Sequence, residues 1–141
     1  MTPQQFEQQV ARIVETLSTV DGETRVTWNA RIPDPDNPTQ LRQIDIAIRR
    51  HGELTMVECR NRMAPEDVQW IEELYGRRES LGAISVIAVP SSGFTRGAIA
   101  KAERLGVFLR TLSQVSPQDV MAWGTRTKVN IVFSQLRRIH L

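Results

Sequence analysis

Asp45, Glu58 and Arg60 are the residues of this chain whose types and spacing suit chemistry, and all three fall in the stretch RQIDIAIRRHGELTMVECRNR from Arg42 to Arg62. Ile44, Ile46 and Ile48 alternate with Gln43, Asp45 and Ala47, and Thr55, Val57 and Cys59 alternate with Met56, Glu58 and Arg60. Period two marks a strand with one buried face. With the isoleucines, Val57 and Cys59 on the core side, Asp45, Glu58 and Arg60 share the other. Two carboxylates and a cation then stand side by side on adjacent strands. A hard divalent cation such as Mg²⁺ takes oxygen ligands, one or two of them carboxylates, with water and phosphate filling its remaining positions. Such an ion lowers the pKa of a bound water and stabilises charge on phosphate oxygens. A protein cation two residues beyond a ligating glutamate steadies the attacking water or the transition state. The chemistry this pattern fits is metal-assisted phosphodiester cleavage. A plainer reading of the same residues is a salt bridge across a surface hairpin, worth about 0–1 kcal/mol.

The elements that must position these residues are legible on either side. Arg50-His51-Gly52-Glu53 supplies a glycine and polar neighbours for a tight hairpin. Residues 4–18 predict an amphipathic helix with Phe6, Val10, Ile13, Val14 and Leu17 in one stripe. Glu7 sits at the border of that stripe, where it reaches the edge of the sheet, and Glu15 lies nearly opposite. Asp21-Gly22 ends the helix, and residues 24–32 predict a strand with Val26 and Trp28 on one face. Pro33, Pro35 and Pro38 make the next segment a loop, since proline cannot donate to a ladder. Asp34, in that loop, has no strand register and is set aside in favour of Asp45.

Pro65-Glu66-Asp67 predicts a helix start, with acids in the first turn and Arg77-Arg78 closing the last. Val68, Ile71, Leu74 and Tyr75 form its buried face, with Gln69, Trp70, Glu72 and Glu73 around it. Residues 84–89 are a near-continuous apolar run, the signature of a buried parallel strand. Thr95 caps a further helix that runs to about Leu105 and stops at Gly106, and residues 107–110 form the next strand. Ser91, Ser92 and Thr95 near a helix start suit either capping or a phosphate. After Ser113, a short helix around residues 116–123 and a strand at 129–133 are expected.

Asp45, followed by Glu58-Cys59-Arg60, resembles the bipartite PD-(D/E)xK motif of restriction-endonuclease-like nucleases, in the Mrr-like branch. The resemblance continues through Trp70-Ile71-Glu72, Ser80-Leu81-Gly82-Ala83, Ser91-Ser92-Gly93-Phe94-Thr95 and Gly97-Ala98-Ile99-Ala100-Lys101-Ala102 to Leu109-Arg110, over residues 4–113. It implies an α/β fold with a restriction-endonuclease-like core, a mixed sheet flanked by helices. It implies a Mg²⁺-dependent DNA endonuclease of restriction or repair type, with Mn²⁺ able to substitute. Asp45 and Glu58 would ligate the metal, Arg60 would stand in for the usual lysine, and Glu7 would be an auxiliary ligand. Gln43, Arg62 and Gln69 would support the site or touch DNA. Arginine stays protonated and cannot serve as a base, though it clamps a phosphate. The alternative is therefore a catalytically silent nuclease-like module that binds DNA or protein.

The 141 residues suffice for one core-forming domain. Hydrophobic content of 40% and charged content of 24% place it among globular proteins. A single cysteine excludes an internal disulfide framework and fits a reducing cytoplasm. No signal-peptide pattern or membrane-length apolar run is present in the sequence, so no membrane partner is expected. With a formal charge of only +2, contact with DNA requires local clustering of arginines. The expected division is a nuclease domain over residues 1–113 and a tail over 114–141. Val129, Ile131, Phe133, Leu136, Ile139 and Leu141 leave that tail apolar. It is expected to be covered by a second copy, as a homodimer, or by a missing downstream domain.

Overall fold

A two-residue turn fixes the register of the central hairpin. His51 and Gly52 both hold positive φ, 53° and 78°, the backbone that matches the right-handed twist of the strands on either side. It joins β2 (Leu41–Arg50) to β3 (Glu53–Arg60), antiparallel, with Arg50 opposite Glu53 and Ile46 opposite Val57. The computed structural model describes residues 2, 4–9 and 24–111. Within them β1 (Thr24–Pro33) pairs antiparallel with β2, and β4 (Ser85–Pro90) lies parallel to β3. The short β5 (Phe108–Leu109) is parallel to β4, giving a sheet in the order β1-β2-β3-β4-β5.

Parallel neighbours need crossovers, and two helices provide them. α1 is the helical segment 4–9; α2 (Val68–Leu81) links β3 to β4, and α3 (Arg96–Leu105) links β4 to β5. The fold is the expected α/β core, a mixed sheet flanked by helices. Local chemistry sets the helix ends. The Asp67 carboxylate accepts from Gln69 N–H at 3.0 Å to start α2, and left-handed Gly82 ends it. Thr95 Oγ1 accepts from Ala98 N–H at 3.1 Å to start α3.

The sheet is covered more fully than a period-two pattern suggests. β3 is buried from Leu54 through Glu58, on both faces. The reason is its place at the centre of the sheet. Ile46, Ile48 and Val57 bury on one face, while Leu54 and Met56 join a core with Ile71 and Leu74 of α2 and Ala98 and Ala102 of α3. Each aliphatic side chain so buried contributes about 1.5–3 kcal/mol. Phe6 of α1 is also fully buried.

Three details of α2 differ from the expectation. The helix begins at Val68, so Glu66 lies outside it, nearly buried and bridged to Phe94. Trp70 joins the buried face, and Val68 and Tyr75 are only half-buried. The end comes at Leu81 rather than at Arg78, because Gly82 is the residue that adopts the left-handed cap.

In the proline-rich loop, Asp34 is structural. Its carboxylate accepts from Asp36 N–H at 2.8 Å and from Arg42 Nη1 at 2.7 Å, and that arginine holds it below the usual carboxylate range. The helical residues expected at 10–18 and the tail over 114–141 lie outside the described residues. Among the described residues no helix is long and apolar enough to cross a membrane.

Candidate active site

The ladder between β2 and β3 ends at Ile46 and Val57, and Asp45 and Glu58 are the next residues on the two strands. Asp45 takes over where the backbone pairing stops: its Oδ2 accepts from Cys59 N–H at 2.8 Å. Its Oδ1 accepts from Gln43 Nε2 at 3.2 Å, and the same nitrogen donates to Asn29 Oδ1 at 2.9 Å. The Asp45 carboxylate is thus held from the backbone of one strand and from a side chain of its own.

Glu58 is 8% exposed. Burial, and then the charge of Asp45 and a hydrogen bond to it, push the Glu58 carboxyl up to about 8, with Arg77 pulling the other way. Arg77 Nη2 stands 3.4 Å from Glu58 Oε1 and also donates to the Gln43 carbonyl. The Asp45 charge adds to the cost of ionising the buried Glu58, a cost that a bound cation relieves. The donor set is all oxygen, which suits a hard divalent ion. Among the described residues no three His, Cys, Asp or Glu gather around one point. Asp45 and Glu58 would therefore hold such an ion with water and phosphate oxygens in the remaining positions, the mode Mg²⁺ prefers.

Arg60 has other neighbours. Its Nη1 lies 3.1 Å from Glu66 Oε1, its Nη2 3.9 Å from Glu73 Oε2, and its guanidinium stacks 5.0 Å from the Trp70 ring centre. Trp70 in turn stacks on Phe94, with ring centres 6.4 Å apart. Glu66 is only 3% exposed, and among the described residues its Oε2 has no hydrogen-bond partner. Arg60 thus neutralises a buried acid where the β3–α2 and β4–α3 connections meet.

Glu7 comes to the site from α1. Together with Trp28, Asn29, Gln43 and Asp45 it lines an open pocket of about 250 Å³. Burial pushes the Cys59 thiol well up, and the charges of Asp45, Glu58 and Glu7 add to it in that order. Gln69 is exposed, its side chain donating to Glu73 at 3.3 Å. Arg62 is exposed, and its backbone N–H and carbonyl both engage Ser91 Oγ. Ser92 Oγ donates to the Ala64 carbonyl, so Ser91, Ser92 and Thr95 serve loop and cap geometry.

Asn29 is the residue sequence reasoning missed at the candidate site, whereas Arg77 reads from sequence first as a helix-end cation with phosphate binding as its alternative. Asn29 sits at φ 51° inside β1; its one sequence signal is that asparagine tolerates the left-handed region.

The profile of a family described as restriction endonuclease matches residues 1–115. The chain belongs to that family. Its restriction endonuclease fold is shared by solved structures of low sequence identity. One is the protein of unknown function AF1548, with 20% identity and a TM-score of 0.60 over 77% of this chain and 58% of that one. A second is VC1899 from Vibrio cholerae, with 16% identity and a TM-score of 0.63 over 92% and 33%. A third is Can2 from Sulfobacillus thermosulfidooxidans in complex with cyclic tetra-adenylate, with 16% identity and a TM-score of 0.66 over 86% and 37%. The chain spans less than two thirds of the length of each of those proteins. No curated protein sequence matches it.

Proposed function

We propose that this restriction endonuclease family member is a divalent-metal-dependent DNA endonuclease, with Mg²⁺ as the ion and Mn²⁺ as its substitute. The observation that carries the reading is the Asp45–Glu58 pair, with Glu58 raised to about 8 by burial and by its neighbour. When bound, the ion supplies an acidified water and charge neutralisation at the phosphate. Asp45, oriented by Cys59 N–H and Gln43, and Glu58 present the oxygens that would hold it. Arg77, rather than Arg60, brings a guanidinium to the pair, positioned to clamp phosphate oxygens. Glu7 lines the adjoining pocket as the auxiliary carboxylate.

The local clustering of arginines that polyanion binding requires is present on this side of the sheet. Arg25 faces Arg49 across β1–β2, and Arg31 faces Gln43. Arg49 and Gln43 are four and two residues from Asp45, so all of these side chains share its face. Arg25, Arg31 and Arg49 are exposed. Like charges directly opposite one another destabilise a sheet, and a phosphate backbone reverses that cost.

Supercoiled plasmid tests the reading: nicking or linearisation in Mg²⁺ or Mn²⁺, abolished by chelator, is the expected result. The occupation of Arg60 by Glu66 favours a second reading, the catalytically silent module. It predicts DNA binding with no cleavage in either metal.

A further inference from the structure

The pocket beside Asp45 has a wall that metal and phosphate chemistry leaves unexplained. Besides its carboxylates it is lined by the carboxamides of Gln4 and Gln8 from α1, Asn29 from β1 and Gln43 from β2, and by Trp28. The Trp28 side chain is left 42% exposed. Neutral carboxamides beside an open aromatic are the groups that recognise a nucleobase, by hydrogen bonds to its edge and stacking on its face.

Hydrogen bonding within the wall leaves a complementary edge. Gln43 Nε2 gives its protons to Asn29 Oδ1 at 2.9 Å and to Asp45 Oδ1 at 3.2 Å. Gln43 Oε1 and Asn29 Nδ2 take no part in these two bonds and lie on exposed residues. The wall thus offers one acceptor and one donor, the pairing a base edge requires. Asn29 holds the left-handed backbone in mid-strand to do so, a conformation that persists only where surroundings enforce it and that clusters at ligand sites.

A base paired inside a duplex hides its Watson–Crick edge and both its faces. We propose that this pocket receives one unpaired nucleobase of the DNA strand whose phosphate sits at Asp45 and Glu58. The preferred substrate is then DNA with a base out of the stack, whether single-stranded, mismatched or extruded. The assignment rests on the nuclease reading above for the position of the phosphate.

Fluorescence anisotropy and cleavage of one oligonucleotide set in Mg²⁺ test it: a perfect duplex, the same duplex with one central unpaired base, and the single strand. The unpaired-base duplex is expected to be bound and cut about tenfold better than the perfect one, the scale of base–aromatic stacking. Trp28→Ala brings that ratio close to one, and Trp28→Phe retains most of it. Gln8→Ala, an exposed change, lowers the ratio too and carries the test if Trp28→Ala does not fold. Equal handling of the two duplexes, or a ratio unmoved by Trp28→Ala and Gln8→Ala, overturns the pocket. Cleavage without preference removes the pocket and leaves the nuclease reading. Preferential binding without cleavage does the reverse, and neither binding nor cleavage overturns both.

Discussion

Arg77 Nη2 lies 3.4 Å from Glu58 Oε1, whereas Arg60, two residues beyond Glu58 on β3, gives its guanidinium to Glu66 at 3.1 Å. The cation that touches the carboxylate pair thus comes from helix α2, and the strand cation serves the fold. The two arginines separate by experiment. Arg77→Ala lowers single-turnover cleavage about a hundredfold, the cost of losing one preorganised donor at developing charge, with little change in melting temperature. Arg60→Ala destabilises first, by about 3 kcal/mol, because it strands Glu66 as a buried acid. Cleavage rates paired with thermal melts check both, and a stable Arg60→Ala with collapsed cleavage would reverse the assignment.

Glu58 makes stability depend on pH in a predictable direction. In the unfolded chain it titrates near 4.5 and in the folded chain near 8. Between those values the folded state holds a proton the unfolded state has lost, so this group's contribution to stability falls as pH rises through the window. Glu58→Gln removes that penalty. In chelator the variant melts higher than the wild type at pH 9, by on the order of a few kcal/mol in stability, and the two converge near pH 5. Added Mg²⁺ raises the wild-type melt at pH 8 and leaves the variant unmoved. Melts that stay parallel across pH contradict the raised carboxyl.

Much of the scaffold was legible because its signals are local. The His51-Gly52 turn, the apolar run of β4, the Thr95 cap and the Gly106 stop each depend on neighbours in sequence. The candidate site was legible only in part. Asp45 and Glu58 follow from strand period, but the partners of Arg60 and Arg77 depend on how α2 docks. Trp70 reads as a boundary residue on a helical wheel, yet Arg60 and Phe94 draw it inward. Glu66 reads as a first-turn acid, yet its backbone exchanges hydrogen bonds with Gly93 and Thr95 on the neighbouring connection. Those contacts join segments nearly thirty residues apart, and no window of sequence contains them.

Arg25 and Arg49, opposite each other and exposed, predict a salt effect. The double change Arg25→Ala with Arg49→Ala weakens DNA binding about equally across sequences. It also lowers the slope of log affinity against log salt by about 2, one for each phosphate contact. Anisotropy titrations at several salt concentrations measure the slope, and an unchanged slope places the backbone elsewhere.

The most direct test of the carboxylate pair is single-turnover cleavage of plasmid DNA in Mg²⁺ by Asp45→Asn and Glu58→Gln. Both changes keep side-chain shape, and asparagine keeps the oxygen that accepts from Cys59 N–H. Each is expected to lose at least about a hundredfold in rate while circular dichroism and thermal melts remain those of a folded protein. Wild-type cleavage by either folded variant would contradict the account.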